Sequence, residues 1–279
     1  MMNTLVASLR LCVYALIAAS IVLSATPAFA QFQPRPISDP ATGERYHIEV
    51  AASFWLPTAE VSVASQSLGI PGSTIDFKKD LGLTDRRLGA VRLEARGGRS
   101  KFRFQYIPMT FEQTGALPRD IVFNGQRYRT GVPVTSTLEW KAYRLAYEFD
   151  YVKVDRGFAG FIFELKHTDV AATLQSPVNP TPEFTRAKAP LPSLGLNFRV
   201  YPASNVSITG EVTGIKVPER LIKNKAGHYL EIDLYGTVNL TNSFGVQAGY
   251  RSLDVGYLVD TDTGSFVVKG LYFGVVARY

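Results

Sequence analysis

Histidine is the side chain best suited to moving a proton near neutral pH, and of the three here, His47, His167 and His228, two have an acid nearby: Asp169 beside His167, and Glu231 beside His228. A histidine oriented by a carboxylate can take a proton from water or from a hydroxyl, so hydrolysis is the chemistry to weigh. Serines are plentiful, but no local sequence marks one as a nucleophile. The single cysteine, Cys12, supplies neither a disulfide nor a thiolate cluster for a metal. Residues 69–72 and Gly97-Gly98 lack the strand–glycine loop–helix context, with its lysine, that cradles phosphate. These residues therefore assign no catalytic group, no cofactor and no metal. A larger constellation is charged: Arg92, Glu94 and Arg96, then Arg103, Arg144, Glu148, Glu164, Lys166, Arg199, Glu211, Glu231, Asp233, Arg251 and Arg278. Where these occur in runs, they are spaced by two. Such rows make either a paired polar interior or the wall of a narrow solute path.

A spacing of two is the side-chain period of an extended strand, so strands must hold these residues. The alternate positions are apolar: Val91, Leu93 and Ala95; Phe102, Phe104 and Tyr106; Tyr143, Leu145, Tyr147 and Phe149; Phe161, Phe163 and Leu165. Ten such strands are expected, over 46–56, 86–96, 101–111, 134–151, 157–169, 191–201, 206–217, 228–240, 244–259 and 264–279. Eight or twelve remain as alternatives. The connections after strands two, four, six and eight are short and most others are long, including the polar 57–85 and the proline-rich 170–190. That asymmetry suits a transmembrane antiparallel up-and-down barrel with both termini at its short-turn end. Closure has a physical cause, because an unpaired backbone group in hydrocarbon costs several kcal/mol. A soluble β-sandwich or lipocalin-like barrel is the structural rival.

Details follow from the same pattern. Thr135, Thr137 and Glu139 continue an outward row and must stand clear of lipid. Pro108 implies a bulge near the rim. Asn124-Gly125, between Ile121-Val122-Phe123 and Gln126-Arg127-Tyr128, signals a hairpin projecting above the barrel.

Residues 1–30 read as a secretory signal: Arg10, an apolar run over 11–23, then Ala28-Phe29-Ala30. Residues 31–45, with Pro34, Pro36, Pro40 and Gly43, read as a periplasmic lead-in, and 46–279 as the barrel. Without Arg10 the net charge is one less than the whole chain's +6, and no lysine-arginine block of the nucleic-acid-binding kind occurs.

The final strand has one apolar row, Leu271, Phe273, Val275, Ala277 and Tyr279, and stops on the aromatic. It resembles the C-terminal strand of bacterial outer-membrane β-barrels, porin-like proteins in which a terminal aromatic helps the assembly machinery recognise its client. The resemblance implies export to a Gram-negative outer membrane, contact with its lipid and with the barrel-assembly machinery, and a monomer. Residues 75–83, Ile75 to Leu83, are similar to a segment in the first outer loop of uncharacterised barrels of this kind, and read as a turn or cap over the mouth. No motif of the omptin proteases is present. A non-enzymatic structural barrel or narrow channel with long extracellular loops is expected. The alternatives are a hydrolase or acyltransferase acting on envelope lipid or peptide, and an adhesin.

Overall fold

The computed structural model describes residues 41–64, 73–82, 88–123, 125–177, 179–222, 225–259 and 262–279. The expected signal and most of the lead-in lie outside these residues. The elements are β1 (Ile48–Ala64), β2 (Ile75–Asp76), β3 (Leu88–Gly97), β4 (Ser100–Ala116), β5 (Ile121–Phe123), β6 (Gln126–Tyr128), β7 (Pro133–Val154), β8 (Gly157–Ser176), β9 (Asn179–Ala203), β10 (Val206–Ile222), β11 (Lys225–Asn239), β12 (Phe244–Val259) and β13 (Asp262–Arg278). Ten of them form the antiparallel wall of one sheet in the order β13-β12-β11-β10-β9-β8-β7-β4-β3-β1, the short β2 adds to the upper end of β1, and pairing of β13 with β1 closes the wall. Strand number, connectivity and closure agree with the reading of the sequence.

The closing ladder runs from Glu49↔Arg278 to Ala64↔Thr263 without a register shift. The terminal residue takes part: Tyr279 donates to Ile48 O and accepts from His47 N and Ile48 N. Its row, Leu271, Phe273, Val275, Ala277 and Tyr279, is exposed on the outer face, while Tyr272, Val276 and Arg278 are buried.

A tilted strand needs about ten residues to cross hydrocarbon, yet β7 has 22 and β9 has 25. The extra length inverts the polarity of the wall. In the lower half the outer row is apolar and the inner row charged. Above Leu56 on β1 the outer row becomes Thr58, Glu60 and Ser62, while Ala59, Val61 and Val63 are buried inside. Strand β8 changes likewise, with His167 and Asp169 outside and Ala172 and Leu174 inside. The stacked pair Tyr106–Tyr143, with ring centroids 4.9 Å apart, marks the upper border of the apolar band, and Tyr151–Phe161 marks the lower.

This inversion corrects three expectations. Residues 57–64 and 170–176 are strand rather than connection, and β9 begins at Asn179, so the 170–190 loop is a long hairpin. The alternation there was misleading because it is that of a strand in water around an apolar core, opposite in sense to a lipid-facing one. Pro108 needs no bulge: the β4–β7 ladder runs unbroken through Pro108↔Lys141, and pairing of β4 with β3 ends at Val91↔Tyr106. The missing N–H therefore faces a side where pairing with β3 has already ended. The β5–β6 hairpin exists, with Gly125 at φ +80°, but it does not project. Ile121, Phe123 and Tyr128 are buried in the same cluster as the inner rows of β1, β4 and β7.

Candidate functional site

Side chains of one sign two residues apart on neighbouring strands would repel, so the interior alternates signs across its ladders. Glu49 on β1 bridges Arg92 on β3 at 2.9 Å and Arg278 on β13 at 2.6 Å. Arg103 on β4 reaches Glu94 at 3.2 Å, Glu148 on β7 at 2.8 Å and Glu211 on β10 at 2.5 Å. Arg144 on β7 binds Glu164 on β8, Gln105 on β4 at 2.9 Å and Glu231 on β11 at 2.5 Å. Arg251 meets Asp233 at 2.5 Å, and Tyr272 donates to the same carboxylate at 2.8 Å. Strands β4 and β10, or β7 and β11, are not neighbours in the sheet. Their side chains meet by crossing the lumen, which places the charged rows inside.

Every charged residue singled out from the sequence (Arg92, Glu94, Arg96, Arg103, Arg144, Glu148, Glu164, Lys166, Arg199, Glu211, Glu231, Asp233 and Arg251) is buried. Arg278 and the inward-row Glu49 are buried with them, and parity could also have found Lys101. Tyr46, Tyr229 and Tyr235 were not legible, since a tyrosine on an inner row looks like any core aromatic. Their hydroxyls join the network: Tyr46 binds Glu94 at 2.6 Å, Tyr229 binds Glu231 at 2.7 Å, and Tyr235 binds Glu211 at 3.2 Å. Lys166 lies 2.9 Å from Glu164, 2.8 Å from Thr213 Oγ1 and 3.6 Å from the Tyr229 ring.

The network is balanced. Among the described residues nine strand cations are buried (Arg92, Arg96, Lys101, Arg103, Arg144, Lys166, Arg199, Arg251, Arg278) against eight strand carboxylates (Glu49, Glu94, Glu148, Asp150, Glu164, Glu211, Glu231, Asp233). The ninth anion, Glu44, comes from outside the wall. It lies before β1 and reaches Arg96 at 2.6 Å, Arg199 at 3.4 Å and the Tyr201 hydroxyl. Burial would raise its pKa, but Arg199 and Arg96 outweigh burial, and the carboxyl sits below its usual range. The adjoining backbone is tied down as well: Thr42 N donates to Ser204 O, Asn239 Nδ2 to Thr42 O, and Gly43 N to Asn242 Oδ1. Residues 41–46 thus latch the short-turn end, and the part of the lead-in that is described is a piece of the barrel floor rather than a free tether.

Above the charges the interior is apolar. Met109, Phe111, Leu138 and Val268 are at most 1% exposed, and Trp140 stacks on Phe266 at 4.1 Å. The mouth is capped by Ile75, Phe77 and Leu81, buried beside the hairpin. Two aspartates organise this cap. Asp76 accepts from Lys78 N and Lys79 N at 3.0 Å each, making the turn. Asp80 holds Arg119 at 2.9 and 2.6 Å, and the arginine bonds lower the Asp80 pKa. A cavity of about 10 Å³ beside Arg92, Gln105, Gln247 and Arg251 is room for one water.

The histidines are elsewhere. His47, His167 and His228 are all exposed, and His228 pairs with Asp254 at 3.1 Å on the outer face, whereas Glu231 points inward. The His228–Glu231 pairing is not formed. His167 and Asp169 share the outer face of β8, away from the mouth's interior. Among the described residues no group of three metal-ligating side chains occurs.

No family model and no curated protein sequence matches the chain. Its backbone is similar to that of the outer-membrane protease OmpT of Escherichia coli, with 8% identity over 87% of this chain and 99% of that one, at a TM-score of 0.53. Looser matches include the toluene transporter TodX of Pseudomonas putida (9% identity, 87% of this chain and 93% of that one, TM-score 0.36). Neisserial surface protein A also matches (14% identity, 86% and 100%, TM-score 0.34). At these identities the likeness is one of fold: the chain is built as a closed, ten-stranded barrel of the bacterial outer-membrane type.

Proposed function

We propose that this protein is a non-enzymatic, non-conducting barrel of a Gram-negative outer membrane, exported by its N-terminal signal and assembled through the strand ending in Tyr279. Of the two expected forms, structural barrel or narrow channel, the filled interior favours the first. The observation that carries this is the continuity of filling: latch, balanced charge network, apolar core and cap follow one another along the axis. A conducting path would have to break buried ion pairs, each costing about 3–5 kcal/mol to leave unpaired. The working surface is then the collar above the lipid band, where Thr58, Glu60, Thr110, Glu139 and Lys141 face water.

Planar-bilayer recording of the folded protein tests this reading. Silence is expected at physiological salt. Discrete steps that change on Arg144→Gln or Glu148→Gln would refute it in favour of a channel. An enzyme of envelope lipid or peptide would instead show turnover lost on His167→Ala or His228→Ala.

A further inference from the structure

The wall is not sealed all round. Strand β9 pairs with β8 from Val200↔Gly157 to Asn179↔Ser176, with one register shift between Leu174 and Ser176. Its ladder to β10 stops at Leu194↔Gly214, and β10 above that point pairs only with β11, through Ile215↔Tyr229, Lys216↔His228 and Val217↔Gly227. The sequence accounts for the stop. Pro192 sits opposite Leu165 in the β8 ladder, and a residue without an N–H can occupy only a position that donates nothing to that neighbour. Its nitrogen therefore faces β10, where the next hydrogen-bonded rung, to Lys216, would need a donor. At the following rung Pro190, of the same parity, would face Pro218, and neither has an N–H to donate.

The matching place beside Pro108 is covered by the cap, and there Met109 and Phe111 are 1% and 0% exposed. Beside the β9–β10 break, by contrast, Leu191 and Ile215, which pack against the core, are only partly buried, and Val217 is half-buried too. Apolar side chains of the inner rows are accessible there. The lower lip of the slot is Leu194, 65% exposed on the lipid-facing row and level with Phe163. The slot is thus continuous with the hydrocarbon band, and exposed Lys216 stands at its edge.

We propose that this slot receives an acyl chain of an outer-leaflet lipid, laid over Leu194 and Gly214 against Leu191, Ile215 and Val217, with Lys216 facing the lipid's phosphate. The proposal rests on the outer-membrane reading above. The probe is a phosphatidylglycerol with a mid-chain diazirine, in vesicles holding the folded protein, with irradiation adducts mapped by mass spectrometry. Adducts are expected on Leu191, Ile215 and Val217 as well as on the outward Leu194 and Leu165. The stapled variant Leu191→Cys/Val217→Cys should lose at least fivefold of the inner adducts and regain them on reduction. Pro192→Val, which restores the donor opposite Lys216, should lose them without a crosslink if the staple does not fold. Adducts confined to Leu194 and Leu165, or inner adducts indifferent to both variants, would overturn the proposal. So would slot-dependent crosslinks to a second copy in place of lipid. Failure of the membrane reading looks different: the protein would not float with the vesicles, and no position would be labelled.

Discussion

Replacing Glu44 by glutamine removes one charge from the latch and keeps its shape. The carboxylate serves two arginines, Arg96 and Arg199, whose side chains are 4% and 5% exposed, and its own is 14% exposed. Both guanidiniums also lie over the Phe158 ring, at 5.9 and 5.1 Å, with Lys101 Nζ at 3.3 Å from the same ring. Without Glu44 these three cations face one another with one fewer anion among them. Leaving a buried charge unpaired costs about 3–5 kcal/mol, and the glutamine oxygen still accepts one bond, so about 3 kcal/mol is expected. That corresponds to roughly a hundredfold larger open population of the latch. Trypsin reports it, because Arg45 is exposed within the latch, and cleavage of a rapidly reclosing segment follows its opening equilibrium. Cleavage after Arg45 should accelerate about a hundredfold at pH 7, while cleavage after exposed Arg129 in the cap stays unchanged as an internal control. The pH dependence has a definite sign. The folded carboxyl lies below its usual range, so its contribution is complete above the unfolded value of about 4.3 and fades as pH falls through the lower folded value. Acid should therefore loosen the wild-type latch toward the Glu44→Gln level and leave the variant unchanged. An acceleration under threefold at pH 7, with the barrel still heat-modifiable, would refute the reasoning: the backbone bonds of Thr42 and Gly43 would then hold the floor alone.

Leu138→Ala empties a fully buried site in the apolar collar and should cost about 2–5 kcal/mol, read as a lower temperature for loss of the fast-migrating folded band on cold denaturing gels. An unchanged temperature would mean the collar contributes little to the barrel's stability. The cap should come loose in acid: Arg119 holds the Asp80 carboxyl low, so that stability is present above the unfolded value of about 3.9 and lost as pH falls below it. Emission of Trp140 in a Trp55→Phe background would shift red in that range, and Asp80→Asn should already show the shift at pH 5. A variant that kept the wild-type acid transition would point to another group. Gly43→Val should open the latch about tenfold by the Arg45 assay, because φ is +78° there and a Cβ would press on Arg278 and Asn239. A cleavage rate equal to the wild type's would show that the turn tolerates the strain.

Much of this barrel was legible from residue order alone, because period two is a local property of the chain. Where a strand crosses hydrocarbon, its outer row must be apolar, so Phe102, Leu145, Phe161 and Phe273 announced themselves, and their neighbours had to face inward. Pairing of neighbours follows from short turns, so the order of the ten strands needed no tertiary knowledge. The inner charges could be named one by one from parity.

Other features depended on what meets across the lumen. Residues 57–64 and 170–176 read as connections because their outer row is polar; only the filled collar shows that water, not lipid, surrounds them and that their inner row is a core. Glu44 lies outside any periodic segment, and its worth comes from Arg96 and Arg199, 52 and 155 residues away in the chain. The inward turn of Ile121 and Phe123 and the burial of Ile75 and Phe77 likewise need a cavity of the right depth to receive them. Pro192 stands between the two kinds of knowledge. Its missing donor is written in the sequence, but the neighbour it fails to bond, and the apolar side chains left accessible beside it, exist only once β10 is in place. The sequence by itself determined period, sidedness and strand order, since these are set within a few residues. Filling, closure of the two ends and the seam beside Pro192 were decided by the tertiary structure, because each depends on side chains that approach only when the sheet has closed.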